Sequence, residues 1–229
     1  MTTTRIRRCG EAALLVDCPD LAHAVALARE LERLRPEAVD VVPAAQTVLV
    51  SARDAAALPA LRRRVEEVLD SVPGQGIGAD GEVVVTRTVT IDVRYDGPDL
   101  ADVADLAGVS VEALVRRHTS VSWRAAFGGF APGFCYLVDS VELTRRPAAP
   151  ARDPEVQALP SVPRLKTPRT RVPTGSVGMA DRFCAVYPVA SPGGWRLLGT
   201  TDAVLWDADR PDPALLAPGD AVVFRDAGR

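Results

Sequence analysis

The stretch FGGFAPGFCYL, Phe127 to Leu137, restricts the fold more than any other part of the chain. Phe127, Phe130 and Phe134 fall within eight residues of one another, interleaved with Gly128, Gly129, Pro132 and Gly133, in a chain that has only five Phe in 229 residues. Pro132 and the glycines exclude a helix here, and a Pro-Gly pair is not tolerated inside a central strand. A solvated loop has no use for so much aromatic surface. What remains is a segment whose aromatics pave the wall of a pocket. The segment carries no acid or base, so any polar chemistry must be supplied from elsewhere.

The chain beyond Ser120 keeps this character. The β-type runs FCAVYPV, WRLLGT and DAVVFRD alternate with Pro and Gly turns, which predicts a compact β-barrel. Before it, DGPDLADVADLAGVSVEALVRRHTS reads as two short helices, the second N-capped by Ser110. Upstream again, GEAALLVDC (Gly10 to Cys18) predicts a strand, and Leu21, Val25, Ala28 and Leu31 recur at helical spacing. Val39–Val42 and Thr47–Ser51 flank PAAQ as two strands, and Leu58, Leu61, Val65 and Val68 line one face of a second helix. RTVTIDVRY then alternates, with Val89, Ile91, Val93 and Tyr95 on one side, as a half-buried strand does. Strand, helix, strand, strand, helix, strand is the order of a ferredoxin-like α+β unit, so the expected organisation is a domain over residues 1–95 and a second over 96–229.

Composition bounds the function. A net charge of -3 gives no basic footprint for nucleic acid. No apolar run reaches the 18 residues of a membrane span, and MTTTRIRR leads into no hydrophobic signal core, so a cytoplasmic protein with no membrane partner is expected. Cys9, Cys18, Cys135 and Cys184 are scattered without a CxxC pair, which indicates reduced thiols and neither a zinc site nor a disulfide framework. Gly76, Gly78 and Gly81 formally satisfy GxGxxG, but helix precedes and strand follows, the reverse of a phosphate-binding turn; a loop is the reading. The Pro-rich segment Arg145 to Pro163 is expected to be a long surface loop.

Several residues can carry chemistry. His118 shares its helical face with Val111, Leu114 and Val115. It is either a histidine whose charge suits a helix C-terminus or a general base at the lip of a pocket. PRLKTPRTRVPTGSVGMA gathers Arg164, Lys166, Arg169 and Arg171 beside prolines that fix extended geometry. These charges can hold a carboxylate or phosphate, or merely guard a sheet edge. Ser176 is a possible nucleophile but lacks a GxSxG setting and reads more simply as a turn hydroxyl. Cys135 could pair with His118, although a cysteine in an aromatic run is usually buried and inert. SPGGWRLLGTT, Ser191 to Thr201, is a hairpin with Trp195 placed either in the core or against a ligand.

Taken in order, HTSVSWRAAFGGFAPGFCYL, PRLKTPRTRVPTGSVGMA, VYPVASPGGWRLLG and APGDAVVF resemble the family of 5-oxoprolinase B subunits, also known as allophanate hydrolase subunit 1, which includes the Kip-type histidine kinase inhibitor. The family pattern is met at His118, Trp123, Gly129, Phe130, Pro132, Gly133, Phe134, Tyr136, Arg169, Ser176, Tyr187, Ser191, Gly193, Gly194 and Trp195, among others. The chain departs from it at Phe183, Cys184 and Ala185, where Gln-Thr-Gly is usual, and at Cys135, where Pro is usual.

The resemblance implies a ferredoxin-like domain followed by a cyclophilin-like β-barrel, together forming half of a carboxyltransferase domain. It also implies a hetero-oligomeric hydrolase. A 5-oxoprolinase C subunit and a third component would join this chain to open the lactam of 5-oxoproline to glutamate with ATP, which the complex uses and this chain need not touch. On that reading His118, Arg169 and Ser176 are the catalytic candidates. Phe130, Pro132, Gly133, Phe134, Tyr136, Arg164, Lys166, Ser191, Gly193, Gly194 and Trp195 are the substrate-binding ones. Alternatives are an allophanate hydrolase-type subunit and a Kip-type module whose aromatic groove holds a sensor histidine kinase, with a peptidyl-prolyl isomerase resting on fold analogy alone.

Overall fold

A computed structural model describes residues 5–35, 37–71, 86–143 and 159–228. GxGxxG at Gly76–Gly81 lies outside the described residues, as does most of the Pro-rich loop. The chain divides into two compact units, Met1–Glu82 with Glu142–Arg146, and Val83–Val141 with Pro147–Arg229.

The first unit is an antiparallel sheet of strands β1 (Ile6–Cys9), β2 (Ala13–Asp17), β3 (Ala38–Pro43) and β4 (Thr47–Ala52), in the order β1-β2-β4-β3. Helices α1 (Leu21–Leu31) and α2 (Leu58–Ser71) pack on it. Leu14, Val16, Val48 and Val50 alternate toward the helices, which answer with Leu27, Leu31, Leu61 and Val65. Asp20 caps α1 by accepting from the His23 backbone N–H at 2.9 Å. One strand is unforeseen and one expectation fails. The polar run IRRC pairs with β2 as a strand that its sequence does not advertise. The strand expected to complete a βαββαβ unit over residues 1–95 is absent from this sheet, and β1 occupies the edge beside β2.

That strand, β5 (Thr88–Val93), belongs to the second unit. Helices α3 (Leu100–Ala107) and α4 (Val111–Ser120) follow it, then strands β6 (Trp123–Gly128), β7 (Cys135–Asp139), β8 (Arg169–Val172), β9 (Ser176–Ala180), β10 (Phe183–Val186), β11 (Ser191–Gly193), β12 (Arg196–Thr200) and β13 (Ala221–Asp226). Seven of these form one sheet in the order β12-β9-β10-β7-β6-β13-β5, with β5 parallel to β13, while β8 and β11 make a separate pair.

The two edges of the large sheet meet. Arg94, just past β5, exchanges two backbone hydrogen bonds of 2.8 Å with Thr200 at the end of β12, closing the sheet on itself as a barrel. The barrel therefore begins at β5, and the boundary read near Tyr95 cuts through it. Ile91, Val93, Trp123, Leu137, Val177, Cys184, Leu198 and Phe224 fill the interior. α3 and α4 pack against this same core through Val103, Ala104 and Leu114, and Ser110 caps α4 by accepting from the Ala113 N–H at 3.2 Å.

No helix among the described residues is long and apolar enough to cross a membrane.

Candidate functional site

The turn between β6 and β7 is fixed by backbone bonds from Gly129 N–H to Phe134 O at 3.2 Å and from Phe134 N–H to Ala131 O at 3.0 Å. Gly133 has a φ of 78°, and a side chain there would collide with Leu205 O and the Trp206 Cβ, so the turn needs this glycine to seat itself. Phe130 takes a left-handed φ of 68° without being glycine and is 61% exposed. Backbone strain of this kind costs about 1–3 kcal/mol and persists where surroundings impose it. Here it turns the Phe130 ring edge-on to Phe134 at 5.1 Å and Tyr187 at 6.2 Å.

An aromatic floor extends from this point. Phe134 meets Tyr136, Tyr187 and Trp195 edge-to-face at 5.1, 5.5 and 5.6 Å. Tyr136 stacks on Phe127 at 4.5 Å and meets Phe183 at 5.5 Å. Phe183, which stands where a polar residue is usual, thus adds to the floor. Gly193 leaves the space that the Tyr187 hydroxyl occupies, since a Cβ there would collide with it, and that hydroxyl accepts a bond from the Trp195 backbone. Gly194 lies against Pro168. Burial raises the pKa of the Tyr136 and Tyr187 hydroxyls, and the positive charge of Arg164 opposes the rise at both.

The basic segment divides in two at this floor. Arg164 lies over the Trp195 indole with Cζ 5.9 Å from the ring centroid, exposed and with no described acid beside it. Lys166 is exposed two residues on. Arg169 is committed to the framework: Nη2 donates to Asp99 Oδ1 at 2.7 Å and Nη1 to Trp195 O at 3.4 Å. Asp99, itself buried, accepts from the Leu197 N–H with its other oxygen at 2.7 Å. The Ser191 Oγ is buried without a hydrogen-bond partner among the described residues.

The other two catalytic candidates lie inside. His118 is 0% exposed: it stands in the last turn of α4, as one sequence reading had it, and is buried rather than at a pocket lip. Its Nδ1 is 2.8 Å from the Tyr95 hydroxyl, its Nε2 3.4 Å from Cys184 Sγ, and its carbonyl accepts from Trp123 Nε1 at 3.0 Å. Burial drives its pKa down to about 3, so it is neutral at physiological pH and cannot serve solvent as a base. The thiol beside it is Cys184 rather than Cys135, which instead donates to Phe127 O at 3.4 Å and has its pKa pushed up to about 12 by burial. Ser176 is 1% exposed at the start of β9, which removes it as a nucleophile for an outside substrate. The structure therefore brings Arg164 and Arg169 together with the aromatic candidates at Trp195, and leaves His118 and Ser176 buried. A cleft of about 440 Å3 elsewhere, lined by Arg94, Tyr95, Gly97, Pro98 and Val111 among others, contains none of the candidates.

Sequence reasoning missed Asp99 and Tyr187 as site residues. Tyr187 had a signal in YPVASPGGW; Asp99 had none, because its partner Arg169 is 70 positions away.

Comparison with known proteins agrees with this architecture. The fold is of the carboxyltransferase type: the Kluyveromyces lactis urea carboxylase superposes with a TM-score of 0.69 over 97% of this chain and 22% of its own, at 17% identity. The chain belongs to the family described as carboxyltransferase domain, subdomain C and D, whose model matches residues 4–216. The 5-oxoprolinase B subunit of Escherichia coli O157:H7 is 41% identical over 142 residues, covering 61% of this chain and 58% of that protein. Its namesake in Bacillus subtilis is 36% identical over 167 residues, covering 72% and 60%. The chain thus spans about three fifths of the curated relatives it matches. The solved protein TTHA0988 is 32% identical with a TM-score of 0.69, over 97% of this chain and 40% of its own.

Proposed function

We propose that the chain is the B subunit of an ATP-dependent 5-oxoprolinase, acting with further subunits to open the lactam of 5-oxoproline to glutamate. The observation that carries this is the 36–41% identity to curated proteins of that name. The geometry supports it in kind. An aromatic floor with few polar groups suits a small flat amide, and Arg164 and the Tyr136 hydroxyl supply polarity at its margin. The role of this chain is to bind and orient, because His118 and Ser176 are closed off in the barrel and Arg169 is spent on Asp99. ATP belongs to the complex, which we place in the cytoplasm. In fold, the first unit is a ferredoxin-like βαββα core with β1 in place of its last strand, and the second a cyclophilin-like barrel.

The test is reconstitution with the other subunits of the complex, measuring ATP-dependent glutamate formation from 5-oxoproline. Turnover should require this chain. Equal turnover without it, or turnover of allophanate alone, would sink the reading.

A further inference from the structure

The two arginines flanking the PRLKTPR segment have different duties. Arg169 has its guanidinium engaged by Asp99 and the Trp195 carbonyl, and the same Asp99 holds the Leu197 N–H, so Arg169 positions the β11–β12 turn. Elsewhere in this unit Arg94, Arg196 and Arg225 each grip an aspartate at 2.8, 3.0 and 2.6 Å. Arg164 grips an indole instead.

Its setting is prepared. The backbone is tied on both sides of it to the β11–β12 hairpin, by Leu165 N–H to Gly194 O at 2.8 Å and by Arg196 Nε to Pro163 O at 3.2 Å. An exposed arginine normally loses rotamer freedom on taking up an anion. Here the main chain is pinned and the side chain already lies on Trp195, so less of that cost remains. Its Cζ stands 5.9 Å from the ring centroid and no acid among the described residues engages its N–H donors, which leaves them open for a two-point contact with a carboxylate. Tyr136, which meets Trp195 at 5.7 Å, has a hydroxyl with no hydrogen-bond partner among the described residues and stands half-exposed beside this charge.

We propose that Arg164 is the carboxylate-binding residue of the aromatic floor, with the Tyr136 hydroxyl as a second donor, and that the ligand is a small carboxylate with a flat uncharged body. This rests on reading the floor as the substrate site. Arg169 is a positioning residue that never touches the ligand.

The test is a titration of the full chain, followed by intrinsic fluorescence and by NMR of the tyrosine and tryptophan rings. The probes are 5-oxoproline, 2-pyrrolidinone (the same ring without a carboxylate) and cyclopentanecarboxylate (a carboxylate without the lactam). Both carboxylates should bind at least about tenfold more tightly than 2-pyrrolidinone, and Arg164→Gln should erase that advantage while Arg164→Lys keeps part of it. Arg169→Gln should lower Tm and leave the preference for carboxylates. The proposal is overturned if Arg164→Gln binds 5-oxoproline within about twofold of the parent, if the neutral lactam binds as well as the carboxylates, or if none of the three binds saturably. Arg164-dependent binding of both carboxylates, in a protein whose complex leaves 5-oxoproline intact, keeps the Arg164 assignment and rejects the 5-oxoprolinase reading.

Discussion

His118 shows how much a single buried group controls. Phe224 at 4.8 Å, Trp123 at 5.1 Å and Tyr95 at 5.7 Å enclose its ring, and its polar contacts are the Tyr95 hydroxyl and the Cys184 thiol. A neutral imidazole serves both, one nitrogen donating and the other accepting. Its folded pKa of about 3 lies below the ordinary 6.5, so between those values the unfolded chain takes up a proton that the folded chain refuses. Above pH 6.5 this group leaves stability independent of pH; below it, stability falls as pH falls, by about 1.4 kcal/mol per unit. Urea midpoints measured at pH 7.5, 6 and 5 should show that slope, and His118→Leu should flatten it while costing about 1–3 kcal/mol at pH 7.5 through the stranded Tyr95 and Cys184 groups. An unchanged slope in His118→Leu would assign the acid sensitivity to other residues. The helical spacing in the sequence placed His118 correctly on the face of Leu114. Depth was illegible, because period gives a direction from the helix axis and says nothing of what covers that face. The second residue-scale prediction concerns Gly193: Gly193→Ala pushes on the Tyr187 hydroxyl, and should cost about 1–3 kcal/mol and weaken the near-UV circular dichroism of the floor. Unaltered spectra and stability would show that the floor yields without penalty.

Among the elements, the seam between β5 and β12 carries the barrel. Arg94 and Thr200 close it with two bonds, and Gly199 and Gly97 permit the approach, since a side chain at Gly199 would strike the Arg94 carbonyl and one at Gly97 the Leu197 carbonyl. Gly199→Ala should therefore part the seam and cost about 3 kcal/mol or more, read as a shift in denaturation midpoint, whereas Thr90→Ala on the exposed side of β5 should cost less than about 1 kcal/mol. Equal effects would mean that the seam is not a closure. The alternation in RTVTIDVRY identified β5 as half-buried with the correct face inward, yet its sheet was misread. A period of two records which side chains are covered and leaves the partner strand unspecified. That partner, β13, begins 133 positions after β5, at Ala221 opposite Thr88. By contrast FCAVYPV, WRLLGT and DAVVFRD, which contain β10, β12 and β13, are short apolar runs between turns and were enough to read a barrel, whereas the Gly-Ser-Val-Gly segment read as a turn opens β9. β1 was invisible for the opposite reason: IRRC is mostly exposed, so no burial pattern marks it.

For the whole molecule, the position of β5 decides where the chain can be cut. β5 supplies the full ladder from Thr88 opposite Ala221 to Val93 opposite Asp226, and buries Ile91 and Val93 to 1% and 0% exposure inside the barrel. A fragment that starts after Tyr95 loses all of this: β13 is left with an open edge, the seam has no Arg94, and His118 loses the Tyr95 hydroxyl. An uncovered strand edge beside exposed core is a template for association between chains. A fragment of residues 83–229 keeps every strand of the barrel. Expressed separately, residues 83–229 should give a monomer that unfolds cooperatively, and residues 96–229 should aggregate or show no cooperative transition. The comparison discriminates between two descriptions of the molecule, because a boundary near Tyr95 makes the shorter fragment a complete domain and the longer one a domain with a loose tail. Cooperative unfolding of residues 96–229 at the same midpoint as residues 83–229 would restore that boundary. The family resemblance, spread over nearly the whole chain, does not mark the point: its motifs lie at turns and in the aromatic floor, where residue identity is constrained, whereas β5 needs only alternating β-branched residues that many sequences can supply.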